Sequence, residues 1–181
     1  KSIAPVLCHL AEDIWQSLPY PASHKSVFQS GWVTLETRWQ APELAQKWQS
    51  LREIREAVNQ VLELARKDKA IGSSLEAKIL LFVSDSNLRQ TLQSINPDSL
   101  RGNHTDELRY LFLASQVKVL DSTEPLKDLK YTQQSETIGV GVVDADGQKC
   151  DRCWNYSTHV GEFANHPLLC ERCEGAISDR F

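Results

Sequence analysis

Much is missing from these 181 residues. The longest uninterrupted apolar runs, Ile79–Val83 among them, stop at five residues, far short of the eighteen or so that a membrane-crossing helix needs. No basic, apolar and small-residue leader opens the chain, so secretion is not signalled and the expected location is the cytoplasm, or an organelle in a eukaryote. Lys1 is not preceded by a methionine, and the first residues read as the inside of a helix; the sequence reads as a piece of something longer. There is no basic domain either. Residues 1–46 carry 3 basic and 4 acidic side chains, 47–78 carry 7 and 5, 79–148 carry 6 and 10, and 149–181 carry 4 and 5. A net charge of −4 spread this way excludes strong non-specific binding to a polyanion. Any nucleic acid has to be gripped by a few placed side chains. Repeats and low-complexity tracts are absent, as are Gly-rich phosphate loops, Gly-x-Ser-x-Gly, His-Glu-x-x-His and paired histidines. The stretch by itself is expected to carry no catalytic site.

Ordinary globular composition is what remains, with 41% hydrophobic and 24% charged residues. Val6, Leu7, Leu10, Ala11, Ile14 and Leu18 sit at helical spacing until Pro19 ends the pattern. A turn-rich stretch follows, with a short extended run expected around residues 26–28. Pro42 suits the first turn of a helix. From there Leu44, Trp48, Leu51, Ile54, Val58, Val61, Leu62 and Ala65 form one apolar stripe. The spacing predicts a helix to about Lys69, closed by Arg66, Lys67 and Lys69 where cations suit the dipole, with Gly72 breaking the turn.

Alternation over Leu75–Val83 predicts a strand. A short helix capped by Ser84 or Asp85 should carry Leu88, Leu92 and Ile95, and residues 96–104 read as loop. Thr105 opens a further short helix through Leu111. Leu113–Leu120 reads as a second strand, 121–135 as a polar linker, and Ile138–Val142 as a third strand before the Asp146-Gly147 turn.

The cysteines are the sharpest signal. Four of the five fall in the last 32 residues, as Cys150-x-x-Cys153 and Cys170-x-x-Cys173 with sixteen residues between the pairs. That is a zinc-ribbon spacing, in which each knuckle offers two sulfurs and a hairpin brings the pairs together. Disulfides do not suit a chain without a leader, and a redox pair would need a thioredoxin-like context. Four thiolates fill the coordination sphere and leave no place for water, so one structural Zn²⁺ is expected. His159 and His166 lie between the pairs as substitute ligands, and are expected to be surface residues instead. Cys8 on the first stripe is expected to be a small buried side chain.

With its metal the tail sits near −3, so Lys149, Arg152 and Arg172 must act locally on any nucleic acid, with Trp154 as their aromatic neighbour. Trp154 follows a ligand directly. Its ring either shields the sulfurs or stacks on an unpaired base.

The segment Lys149–Ile177, KCDRCWNYSTHVGEFANHPLLCERCEGAI, closely resembles the zinc-binding tail of the bacterial-type isoleucyl-tRNA synthetase family. Ala11–Pro19 (AEDIWQSLP) and Ser26–Trp32 (SVFQSGW) are similar to the end of that family's helical anticodon-binding domain. Val58–Ile79 and Leu108–Val119 are similar to the junction that follows. The stretches 85–104 and 121–137 carry no motif of the family. The resemblance implies an α+β chain: residues 1–70 ending the helical anticodon-binding domain, 71–143 forming a small α/β junction, and 144–181 forming the four-cysteine zinc ribbon. It implies a ligase that attaches isoleucine to its tRNA using ATP, whose catalytic and editing domains lie outside these residues. Its partners would be tRNA(Ile) and the remainder of the synthetase chain, with no membrane. Arg152, Trp154 and Arg172, with Lys149, are the expected anticodon-facing residues, and Arg66, Lys67 and Lys69 the expected phosphate contacts. A four-cysteine finger also occurs in formamidopyrimidine-type DNA glycosylases, and a zinc-ribbon protein-interaction module is a third reading. The motifs upstream of the ribbon speak against both.

Overall fold

The computed structural model describes residues 1–95 and 107–178. The expected loop over 96–104, and Thr105 at the head of the following helix, lie outside the described residues. The chain forms two compact units, Lys1–Gln46 and Lys47–Phe181.

In the first unit, helix α1 (Cys8–Gln16) turns Ala11 inward, and Ala11 joins Ala4 and Val27 in a small core against which Trp15 packs. Ala11 and Trp15 are one helical turn apart, so this is the face that is covered. Cys8 consequently lies exposed, contrary to the buried position expected for it, and Leu7, Leu10 and Ile14 are exposed as well. Glu12 ties α1 to the next segment: its carboxylate accepts from Gln16 Nε2 (2.6 Å), Ser26 Oγ (2.8 Å) and the Val27 N–H (3.1 Å). Those bonds, the one from Gln16 foremost, hold it below the usual carboxylate range. The expected extended run is instead a 3-10 turn, Val27–Gln29, because the Ser26 hydroxyl caps it by accepting from the Phe28 N–H.

Helix α2 runs Pro42–Lys67, starting on the proline as expected. Its stripe is buried only from Leu51 onward: Leu51, Ile54, Val58, Val61, Leu62 and Ala65 enter one core with the sheet, while Leu44 and Trp48 stay exposed. The helix does not wait for Gly72. Lys69 adopts φ 57°, the Lys69 N–H donates to Arg66 O (3.0 Å) and the Ala70 N–H to Ala65 O (3.0 Å). This is a Schellman closure with lysine in the left-handed place.

A four-stranded mixed sheet covers α2. Its order is β2 (Gln116–Leu120), β1 (Ala77–Val83), β4 (Ile138–Asp144), β3 (Tyr131–Gln134). β1 pairs in parallel with β2, Ile79 opposite Val117, and antiparallel with β4, Leu81 opposite Val140. Alternate residues of β1 are buried from Ala77 to Val83, as its sequence pattern requires. The parallel pair is bridged through α3 (Ser86–Ser94), whose N-cap Asp85 accepts from the Asn87 and Leu88 N–H groups, and α4 (Glu107–Phe112). The second strand starts later than expected because Leu113, at φ 55°, closes α4.

The stretch 121–135 is not a linker. It contains the turn Glu124–Leu126 and the edge strand β3, which pairs with β4 from Tyr131–Val142 to Gln134–Gly139. Leu126 is fully buried there, lying where a Cβ on Gly141 would come within 2.8 Å of it. The polar composition belongs to an edge strand whose apolar contact is made by the turn before it.

The last strand of the sheet delivers the chain to the cysteine segment, and several bonds fix that passage. Buried Ser115 donates its hydroxyl to Leu75 O and accepts from the Tyr156 N–H (2.7 Å). Gln116 brackets the Asp146 backbone, accepting from its N–H (2.9 Å) and donating to its carbonyl (3.0 Å). Lys78 pairs with the Asp146 carboxylate, and the Ala145 N–H donates to Glu76 O (2.8 Å). Ser115→Ala leaves the Tyr156 N–H and Leu75 carbonyl without their shared partner, so a loss of about 1–3 kcal/mol in denaturant unfolding is expected, with zinc content unchanged.

Candidate metal centre

Gly147, at φ 86°, turns the chain so tightly that a Cβ there would lie 2.3 Å from Ser157 O. Only glycine permits this approach. The turn sets β5 (Gln148–Lys149) against β6 (Tyr156–Ser157), Lys149 opposite Tyr156. The first knuckle closes between these strands: the Cys150 N–H donates to Asn155 O and the Trp154 N–H to Cys150 O, both 2.9 Å. The second knuckle opens α5 (Glu171–Ile177), with Cys170 as its N-cap.

These two turns bring Cys150, Cys153, Cys170 and Cys173 together, their sulfurs all within 4.8 Å of one another. Cys153 and Cys170 stand 3.6 Å apart. A tetrahedron with Zn–S bonds of about 2.3 Å has edges of about 3.8 Å, so the spacing fits one zinc ion. The chemistry fits too. Cys150, Cys170 and Cys173 are buried, and crowding shifts three of the thiols: the hydrogen bond between Cys153 and Cys170 lowers the former and raises the latter, and burial raises Cys173. A dication resolves this by holding all four as thiolates. Two donors relieve the remaining negative charge, Arg152 Nη1 on Cys173 Sγ (3.7 Å) and the Cys170 N–H on Cys150 Sγ (3.3 Å). His159 is engaged by Glu162 at 2.9 Å, and neither it nor His166 joins the sulfur group. With four protein sulfurs the ion has no open position, and its work is to hold the ribbon together.

The basic and aromatic side chains around this centre fall into distinct places. Trp154 is 61% exposed and takes φ 64°, with Lys149 Nζ 5.5 Å from its ring centroid. A left-handed tryptophan costs about 1–2 kcal/mol where glycine would cost nothing. Most of this residue is open to solvent. Arg152 turns to the opposite knuckle, as described. Arg172 leans away, with its guanidinium 5.4 Å from the ring centroid of Tyr110. Arg66 pairs with Glu63, and Lys67 and Lys69 lie exposed at the end of α2. Tyr110, Ser115 and Gln116 escaped the sequence reading. Tyr110 stands off the Leu108–Phe112 stripe that buries α4, and that offset was the available signal.

Residues 147–174 match the family described as "Zinc finger found in FPG and IleRS", and residues 1–81 match "Anticodon-binding domain of tRNA ligase". The isoleucine–tRNA ligase of Gloeothece citriformis is 64% identical across 100% of this chain and 19% of its own length. Those of Nostoc sp. and Acaryochloris marina are 62% and 63% identical, over 100% and 99% of the chain and 19% and 18% of their own length. The chain matches the C-terminal region of isoleucine–tRNA ligases. It spans about a fifth of those relatives. The finger alone is shared with the glycosylases, but the anticodon-binding match is not, and the DNA-repair and interaction-module readings are set aside. No helix among the described residues is long and apolar enough to cross a membrane.

Within this ligase segment, Cys153→Ser should abolish stoichiometric zinc and unfold residues 147–178. His159→Ala and His166→Ala should each retain one zinc per chain. Metal analysis on the three purified proteins reads the difference, and zinc loss with either histidine variant would mean a different ligand set.

Proposed function

We propose that this chain holds the anticodon stem-loop of tRNA(Ile) for a cytoplasmic ligase that joins isoleucine to that tRNA using ATP, the chemistry residing elsewhere in the whole protein. In this reading residues 1–70 end the anticodon-binding domain, 71–143 are a junction that aims the ribbon, and 144–181 meet the loop. The observation that carries it is Trp154: an exposed ring, held at positive φ beside a closed metal site, with a cation over one face. Unpaired anticodon bases are read by stacking on such rings and by hydrogen bonds to their edges. Lys149 supplies charge at that ring, and Arg172 supplies it beside Tyr110. Arg152 shares itself between the Cys173 sulfur and the RNA. Arg66, Lys67 and Lys69 take backbone phosphates at the end of α2, where the left-handed Lys69 ends the helix in solvent. The zinc ion, once bound, supplies charge that keeps both knuckles closed.

The absence of a basic field fits a reader of this kind. Affinity then comes from a few contacts, and its salt dependence should be shallow. Trp154→Ala should weaken binding of the anticodon stem-loop by about 1–3 kcal/mol, with zinc content and melting temperature unchanged. Equal binding of tRNA and duplex DNA at moderate salt would overturn the reading. So would a Trp154→Ala protein that binds as tightly as the parent.

A further inference from the structure

Two cation–aromatic pairs flank the metal centre, and only one of them lies within the zinc segment. Lys149 covers Trp154, and Arg172 covers Tyr110, which stands on α4 some sixty residues upstream of it. The two pairs spring from the same centre. Trp154 follows ligand Cys153, Arg172 precedes ligand Cys173, and those sulfurs share a cluster no wider than 4.8 Å. Tyr110 is 42% exposed and Arg172 is exposed beside it. The helix bearing Tyr110 runs into Ser115, whose hydroxyl holds the ribbon through the Tyr156 N–H at 2.7 Å. Tyr110 is therefore held in a fixed place relative to the knuckles. Arg152, by contrast, spends one donor on Cys173 Sγ, while Arg172 is the knuckle arginine that lies against an aromatic ring.

A guanidinium lying on a tyrosine ring is a platform for an unpaired base. The ring restrains the arginine plane, and the outer face of that plane takes the base by stacking while its edge donates to base or phosphate oxygens. We propose that Tyr110 and Arg172 form a second stacking position for single-stranded RNA, so that the ligase segment grips two unpaired nucleotides of one loop: one on Trp154, one on the Arg172–Tyr110 stack. This rests on the tRNA reading above and extends it to a residue outside the zinc ribbon. The occupant is a splayed nucleotide with an adjacent phosphate.

The test uses the zinc-loaded full-length ligase and anticodon stem-loop RNAs carrying 2-aminopurine at one loop position at a time. The unsubstituted protein should quench fluorescence at two positions. Tyr110→Leu keeps an apolar side chain on α4 but removes the ring. It should abolish quenching at one position, leave the other intact, and weaken binding about 5- to 150-fold, the equivalent of one stacked base. Tyr110→Phe should behave as the parent, and Trp154→Ala should lose the other position. If Trp154→Ala loses a position and Tyr110→Leu loses none, the second platform is wrong and the tRNA reading stands. Loss of both positions together with zinc or melting temperature in Tyr110→Leu would make Tyr110 a packing residue and overturn the proposal. If the parent quenches nowhere, the tRNA reading falls and takes this inference with it.

Discussion

Gathering four thiols into one cluster is the constraint on which the C-terminal part of this chain depends. Apart from the cysteines themselves, the ribbon's buried apolar core among the described residues is Val160, with Leu169 packed partly against it. Burial of that extent cannot offset the entropy of ordering some thirty residues. The ordering energy has to come from metal–thiolate bonds, as it does in small metal-closed units generally. The same closure dictates where function can sit. Tying Cys150 to Asn155 and to Trp154 leaves the residue after the second ligand in a left-handed conformation, with its side chain directed outward. A tryptophan accepts that strain here although glycine would be cheaper, and strain of this kind concentrates where a side chain is needed for contact.

The sheet contributes the second constraint, orientation. A ribbon joined only by Asp144–Gly147 would swing. Ser115, Gln116, Lys78 and Glu76 all reach across to residues 145–156, and together they define one docking angle. Most of these bonds involve backbone groups, so the ribbon is held by its main chain while its outward side chains stay available. Binding by a few placed groups tolerates little positional error, since a misplaced stacking ring or fork-shaped donor loses most of its contact.

How much of this was legible beforehand depended on period and spacing. The α2 stripe, the β1 alternation and the paired cysteines all announce themselves, because each repeats a local rule, whereas the α3 cap was legible only as Ser84 or Asp85 until the structure chose Asp85. What failed to show was whatever depends on tertiary company. Cys8 lies on an apolar stripe, yet the small core chose the Ala11 face. β3 reads as linker because Thr132, Gln133 and Gln134 are polar, while its burial is supplied by Leu126 in the preceding turn. Lys69 and Leu113 end helices at positive φ without a glycine to advertise it. The anchoring hydroxyl of Ser115 is one serine among many until the fold puts Leu75 and Tyr156 on either side of it.

Charge ties these threads together. With zinc bound, four thiolates leave the site at −2, in a chain whose net charge is already −4. A polyanion approaching such a surface gains nothing from the overall field and must find local positive charge. The structure supplies it in a particular form: Lys149 and Arg172 each rest on an aromatic ring, and Arg152 rests on a ligand sulfur. A cation parked on a ring or a sulfur is already partly desolvated and restrained, so less freedom is lost when RNA arrives. Such a site also distinguishes single strand from duplex, because only splayed bases can use the rings. In the proposed reading, an acidic protein of this design trades association driven by long-range attraction for recognition of one unpaired loop.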